Sequence, residues 1–127
     1  MQAVGLLLSL SALAVGGTGP DPCEPKVVSR TPSRDLPHAL YDQAMTSLPA
    51  ISPSYQLLVG RRSETIGAVE YALLVYRETP TADSVEIMAV AVSRGTPARA
   101  WDLEATCPAP RLPEALVTTM ELLGNLK

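Results

Sequence analysis

Between residues 55 and 107 apolar side chains recur at every second position in four successive stretches, joined by short polar connectors. A period of two is the signature of strands with one buried face, and it fixes most of what this part of the chain can become. The stretches run from Tyr55 to Arg62, Ala68 to Arg77, Val85 to Ser93 and Trp101 to Cys107. In the second, Val69, Tyr71, Leu73 and Val75 share a face; the third is apolar on both faces apart from Glu86 and is expected to be central. In the fourth, Trp101, Leu103, Ala105 and Cys107 alternate with Asp102, Glu104 and Thr106. The connectors Ser63 to Gly67, Thr79 to Asp83 and Gly95 to Arg99 suit antiparallel hairpins, because a parallel crossover needs about a dozen residues or more.

On either side of this region the period changes to that of a helix. Leu36-Pro37-His38-Ala39-Leu40 and Leu112-Pro113-Glu114-Ala115-Leu116 open alike, with proline where a first-turn N–H would lack a partner anyway. Leu36, Leu40, Ala44 and Leu48 follow helical spacing, as do Leu112, Leu116, Met120 and Leu123. Asp35 is placed to cap the first helix and Pro49 to end it; Gly124-Asn125 is the expected stop of the second. The expected fold is therefore α+β: an N-terminal helix, a four-stranded antiparallel meander and a C-terminal helix, with both helices on one face of the sheet.

Residues 3–17 carry no charge and are mostly Leu, Ala and Val, ending in small residues of the kind a signal peptidase cleaves. Residues 1–17 read as a signal peptide, although no Lys or Arg stands near Met1; a buried N-terminal helix is the alternative. Residues 18–34, with four prolines between Gly19 and Pro32, read as an extended arm, and 35–127 as one α+β domain. The chain is then secreted, extracellular or periplasmic, with no membrane span once the leader is removed, and Cys23 lies too far past the apolar run for a lipid anchor. In an oxidising compartment the two cysteines, Cys23 and Cys107, allow a single disulfide; two free buried thiols are the alternative. Two Cys and one His do not make a zinc site of the usual kind, so neither metal nor other cofactor is expected.

Ten Lys and Arg against thirteen Asp and Glu leave a net charge of -3, the wrong sign for displacing counterions from nucleic acid. His38 and Asp42, four apart on the first helix, have the spacing of a carboxylate-oriented base, but Ser47, Ser52 and Ser54 stand in no nucleophile motif. Glu70 and Glu86 fall on strands, where a solvated carboxylate is commoner than an acid/base pair. No Gly-rich phosphate loop is present, and the chain reads as a non-enzymatic one. Arg61-Arg62 followed by Glu64 is either a solubilising turn or an interaction edge. An alternative role is small-ligand binding in an apolar cleft under a helix, with Tyr71, Tyr76 and Trp101 as lining.

Two segments carry a resemblance to a family. Ser63-Glu64-Thr65-Ile66-Gly67 leading into Val69-Glu70-Tyr71-Ala72-Leu73-Leu74-Val75 is similar to the first-hairpin loop and following strand of cystatin domains, especially the divergent ones of kininogens. Ile87-Met88-Ala89-Val90, with the later Ala105-Thr106-Cys107, resembles the last hairpin and its terminal cysteine. The chain departs from the inhibitory pattern Gln-x-Val-x-Gly at Ser63 and Thr65, and Pro97 is separated from Trp101 where the family has Pro-Trp. A competing register over Gln56-Leu57-Leu58-Val59-Gly60 restores Gln and Gly but falls inside a strand. The resemblance implies a protein partner, a papain-like cysteine protease, blocked by a wedge. Its parts would be the arm at Gly19 to Pro22, the tip Ser63, Glu64, Thr65, Ile66 and Gly67, and the loop from Gly95 through Pro97 to Trp101.

Overall fold

The structure is a computed structural model that describes residues 21–32 and 37–127. The elements are β1 (Lys26–Arg30), α1 (Pro37–Ile51), β2 (Gln56–Ile66), β3 (Val69–Arg77), β4 (Ser84–Ser93), β5 (Arg99–Pro108) and α2 (Leu112–Asn125), with one 3-10 turn at Ala109–Arg111. All strands are antiparallel, in the order β1-β5-β4-β3-β2.

The class is α+β, but the expected helix, four-strand meander and helix is corrected in two respects. First, the arm contributes a strand. Lys26–Arg30 pairs with Glu104 through Ala100 on β5, so the sheet has five strands and α1 follows β1. No alternation in the sequence marks this strand, because four of its five residues are exposed and the fifth is half-buried. Second, the helices lie on opposite faces. Val69, Tyr71, Leu73 and Val75 of β3 pair, through Ser93, Ala91, Ala89 and Ile87, with the face that also holds Trp101 and Leu103. Ala115 and Leu123 of α2 are buried in that same cluster. The reverse face of β3, Ala72 and Leu74, packs under α1 with Leu40 and Ala44. A central strand apolar on both sides cannot satisfy both with helices stacked on one.

Element ends also moved. The Ser63 to Gly67 connector is mostly strand, since β2 runs to Ile66 and only Gly67 and Ala68 turn. Gly67 has φ 55°, the positive region that a two-residue hairpin requires at its centre. Pro49 sits inside the last turn of α1 and does not end it. The helix stops at Ile51, just before Ser52-Pro53, where the proline ring excludes helical geometry for the residue ahead of it.

Cys23 and Cys107 form a disulfide across 84 residues, both buried in the α2-side core. Leu73, Ile87 and Leu103, each at most 1% exposed, anchor this core, and each contributes about 1.5 to 3 kcal/mol by burial. Thr119, fully buried on α2, directs its hydroxyl to the Ala115 carbonyl at 2.7 Å, so the helix carries no unpaired hydroxyl into the core. Among the described residues no helix is long and apolar enough to cross a membrane. The proposed signal peptide, the cap Asp35 and Leu36 lie outside the described residues.

Candidate functional site

The strand directions put the β2–β3 turn and the β4–β5 loop at one end of the sheet, since Val69 pairs with Ser93 and Ser93 with Arg99. Ser63, Glu64, Thr65 and Gly67 are exposed there and Ile66 is half-buried; Pro97 stands in an exposed loop behind a cis Thr96-Pro97 bond. The two hairpins are tied together. Glu70, from β3, accepts hydrogen bonds from Ser63 Oγ at 2.8 Å and from the Arg94 guanidinium. The Arg94 pairing first, and the serine second, hold this carboxyl below its ordinary range.

Three observations separate this end from a three-part wedge. Trp101 is 9% exposed and packs in the α2-side core, opposite Ala91. Gly67 is backed by α2: a Cβ at this position would lie 2.7 Å from the Gly124 carbonyl oxygen. Asp21 and Pro22 lie at the other end of the sheet, because Cys23 is bonded to Cys107 at the far end of β5. There Asp21 takes two hydrogen bonds from Arg111, at 2.9 and 2.8 Å, which hold its carboxyl low. Gly19 and Pro20 lie outside the described residues.

The His38–Asp42 pair is not assembled as a base and its orienter. Both Asp42 oxygens accept from Arg62, at 2.9 and 2.7 Å, and this ion pair lowers the Asp42 pKa. Arg61 turns to the other face, donating to Tyr71 Oη at 3.1 Å. Glu70 and Glu86 are also apart, since Glu70 pairs in register with Val92 and Glu86 with Tyr76. Glu86 accepts from Thr106 Oγ1 at 2.8 Å. Among the described residues no cluster of three His, Cys, Asp or Glu side chains is disposed to hold a metal ion.

The concave feature lies on the α1 side, and its lining is not the one expected from the sequence. Five strands span about 19 Å between edges, whereas a helix is about 10 Å across, so one helix leaves about half of a sheet face open. Here α1 packs chiefly on β3, then on β2 and β4, and does not cover β5 or β1. Where the helix stops and the sheet continues there is a cleft of about 310 Å³. Leu40, Tyr41 and Ala44 form its helical wall. Ala72 and Leu74 of β3 with Met88 and Val90 of β4 form an apolar floor. The rim is charged: Arg30 donates to Asp102 at 3.0 Å, and Glu104 stands beside them. No protein-family model and no curated protein matches the chain. The site is therefore characterised by its geometry alone.

Of the aromatic residues expected to line such a cleft, Tyr71 and Trp101 belong to the opposite core, and Tyr76 faces the α1 side beyond the cleft, near Glu86. Burial first, and the carboxylates of Glu86, Glu78 and Glu104 second, raise the Tyr76 pKa and keep its phenol neutral. The sequence did hold one signal for the cleft. Ala72, Leu74, Met88 and Val90 are apolar on the strand positions that a one-sided sheet would give to polar residues.

Proposed function

We propose that the protein is a secreted, non-enzymatic binding domain that takes a compact, largely apolar ligand in the cleft between α1 and the sheet. The observation that carries this reading is the partly covered apolar sheet face, with Met88 38% exposed on its floor. A volume of about 310 Å³ is at the small end of ligand sites and has room for about ten waters. Apolar walls supply the binding free energy by desolvation, and the Arg30–Asp102 pair with Glu104 supplies orientation for a polar substituent. Secretion is supported by the disulfide and by the uncharged apolar stretch at residues 3–17. Native mass spectrometry of the purified oxidised chain, followed by ligand-observed NMR with small apolar acids, alcohols and amines, tests the proposal. Ala44→Phe, which fills the cleft from the helix side, is expected to abolish binding while the fold is retained. Binding that survives Ala44→Phe, or a compound set that leaves the Leu74 and Met88 methyl signals unmoved, refutes it.

A second reading, a cystatin-like protein partner at the hairpin end, is favoured by the lateral tie between the two hairpins through Glu70, Ser63 and Arg94. Titration of a papain-like protease discriminates the two. Inhibition at micromolar concentration that Ala44→Phe leaves intact supports the hairpin end, and no inhibition removes it.

A further inference from the structure

The sheet has two edges, and they are unlike. β2 is interrupted by register shifts between Leu57 and Val59 and between Arg61 and Glu64, which bend an edge away from further pairing. β1 pairs regularly with β5 over all five residues, and among the described residues no strand lies outside it. It is held in place covalently, by the Cys23–Cys107 bond three residues before its start, and the intervening Pro25 is buried. Its side chains are available: Val27 is 38% and Val28 50% exposed, on opposite faces of the strand. A rigid, regular edge with uncovered β-branched residues is a template for another strand.

The charges on β1 select the occupant. Lys26, Val28 and Arg30 share one face, and Lys26 stands in register with Glu104 while Arg30 bonds Asp102. A second copy of the chain paired over the whole of Lys26–Arg30 by a two-fold axis would run antiparallel about Val28, placing Lys26 against Arg30 twice. Like charges directly opposite one another are destabilising. A foreign strand with carboxylates at these two positions and an apolar residue between them meets a cation, Val28 and a second cation; Asp102, one strand further in, stays paired with Arg30, while Lys26 makes no ion pair among the described residues. We infer that β1 is a docking edge for an extended acidic peptide segment of another protein, of the pattern acidic-x-apolar-x-acidic, added as a sixth strand beside Lys26–Arg30. This edge adjoins the α1 cleft and shares Arg30 with its rim, but the inference does not rest on a ligand being bound in the cleft.

The test uses the full oxidised chain and three capped five-residue peptides: Glu-Thr-Val-Thr-Glu, its neutral analogue with Thr at both ends, and its basic analogue with Lys at both ends. The acidic peptide is expected to shift and protect the backbone amides of residues 26–30, and to bind about fivefold tighter than the neutral one at low salt. The basic peptide is expected to bind more weakly than either. The Lys26→Glu variant, which alters one exposed side chain, is expected to remove most of the preference, and Lys26→Glu with Arg30→Glu to reverse it. Perturbations confined to β2, equal affinity for the three peptides, or a concentration-dependent dimer protecting β1 without peptide would each overturn the proposal.

Discussion

Replacing both cysteines in Cys23→Ala/Cys107→Ala removes a cross-link that closes a loop of 84 residues. In the chain-entropy account the unfolded ensemble then regains freedom worth about 4.5 kcal/mol at 25 °C. Small domains are stable by about 5 to 15 kcal/mol, so the loss is about three-tenths of the total at least. The native side adds to it locally. β1 offers only five residues of pairing and no buried side chain, and the Asp21–Arg111 contact beyond the bond is solvent-exposed. Urea unfolding followed by circular dichroism should show the midpoint lowered by about 2 to 3 M, for an m value of about 1.5 to 2 kcal/mol/M. The m value itself should rise, because an unlinked chain exposes more surface when unfolded. Hydrogen exchange gives the local readout: amides of residues 26–30 should exchange in the variant through an opening that leaves β3 to β5 protected. A midpoint drop below about 0.5 M, unchanged β1 protection, or two titratable thiols in the wild-type chain purified under oxidising conditions would refute the reasoning.

Gly67→Ala should cost about 2 kcal/mol or more, since it combines positive φ with a Cβ 2.7 Å from the Gly124 oxygen. Gly95→Ala, whose nearest neighbour is 3.7 Å away, should be close to neutral in the same urea titration. Trp101→Ala should cost about 3 to 5 kcal/mol as a core truncation; a change within about 0.5 kcal/mol, as for an exposed residue, would place it at the surface instead. The carboxyls of Asp21, Asp42, Glu70 and Glu114 all have pKa values held below their ordinary 3.8 or 4.5 by arginine hydrogen bonds. Their contribution is complete above those ordinary values and is lost as pH falls through the lowered ones, so stability should decline from about pH 5 downward. Glu70→Gln should make that acid limb shallower in thermal unfolding between pH 5 and 2; an unchanged limb would show that the Arg94 and Ser63 contacts do not persist in solution.

Local pattern carried much of this fold. Alternation at Val69 to Val75 and Trp101 to Cys107 specified strands and which residues share a face, and helical spacing from Leu40 to Leu48 and Leu112 to Leu123 specified the helices. A count of two cysteines left one pairing, and that bond is present. Alternation along β5 also put Trp101 with Leu103, which is where it lies, in the core. These features are legible because each depends on residues within a few positions of one another. What required the tertiary structure is non-local. Lys26–Arg30 becomes a strand because β5, over seventy residues later, offers it an open edge, and its exposed side chains leave no periodic trace. Two helices take opposite faces because β3 and β4 are apolar on both, and an amphipathic helix does not encode which of two apolar faces it will cover. The cleft follows from a mismatch of widths, one helix against five strands, that no segment of the chain contains by itself. Asp21 and Pro22 stand away from the hairpin tips for the same reason: the direction in which β1 runs is decided by its partner strand and by the bond to Cys107.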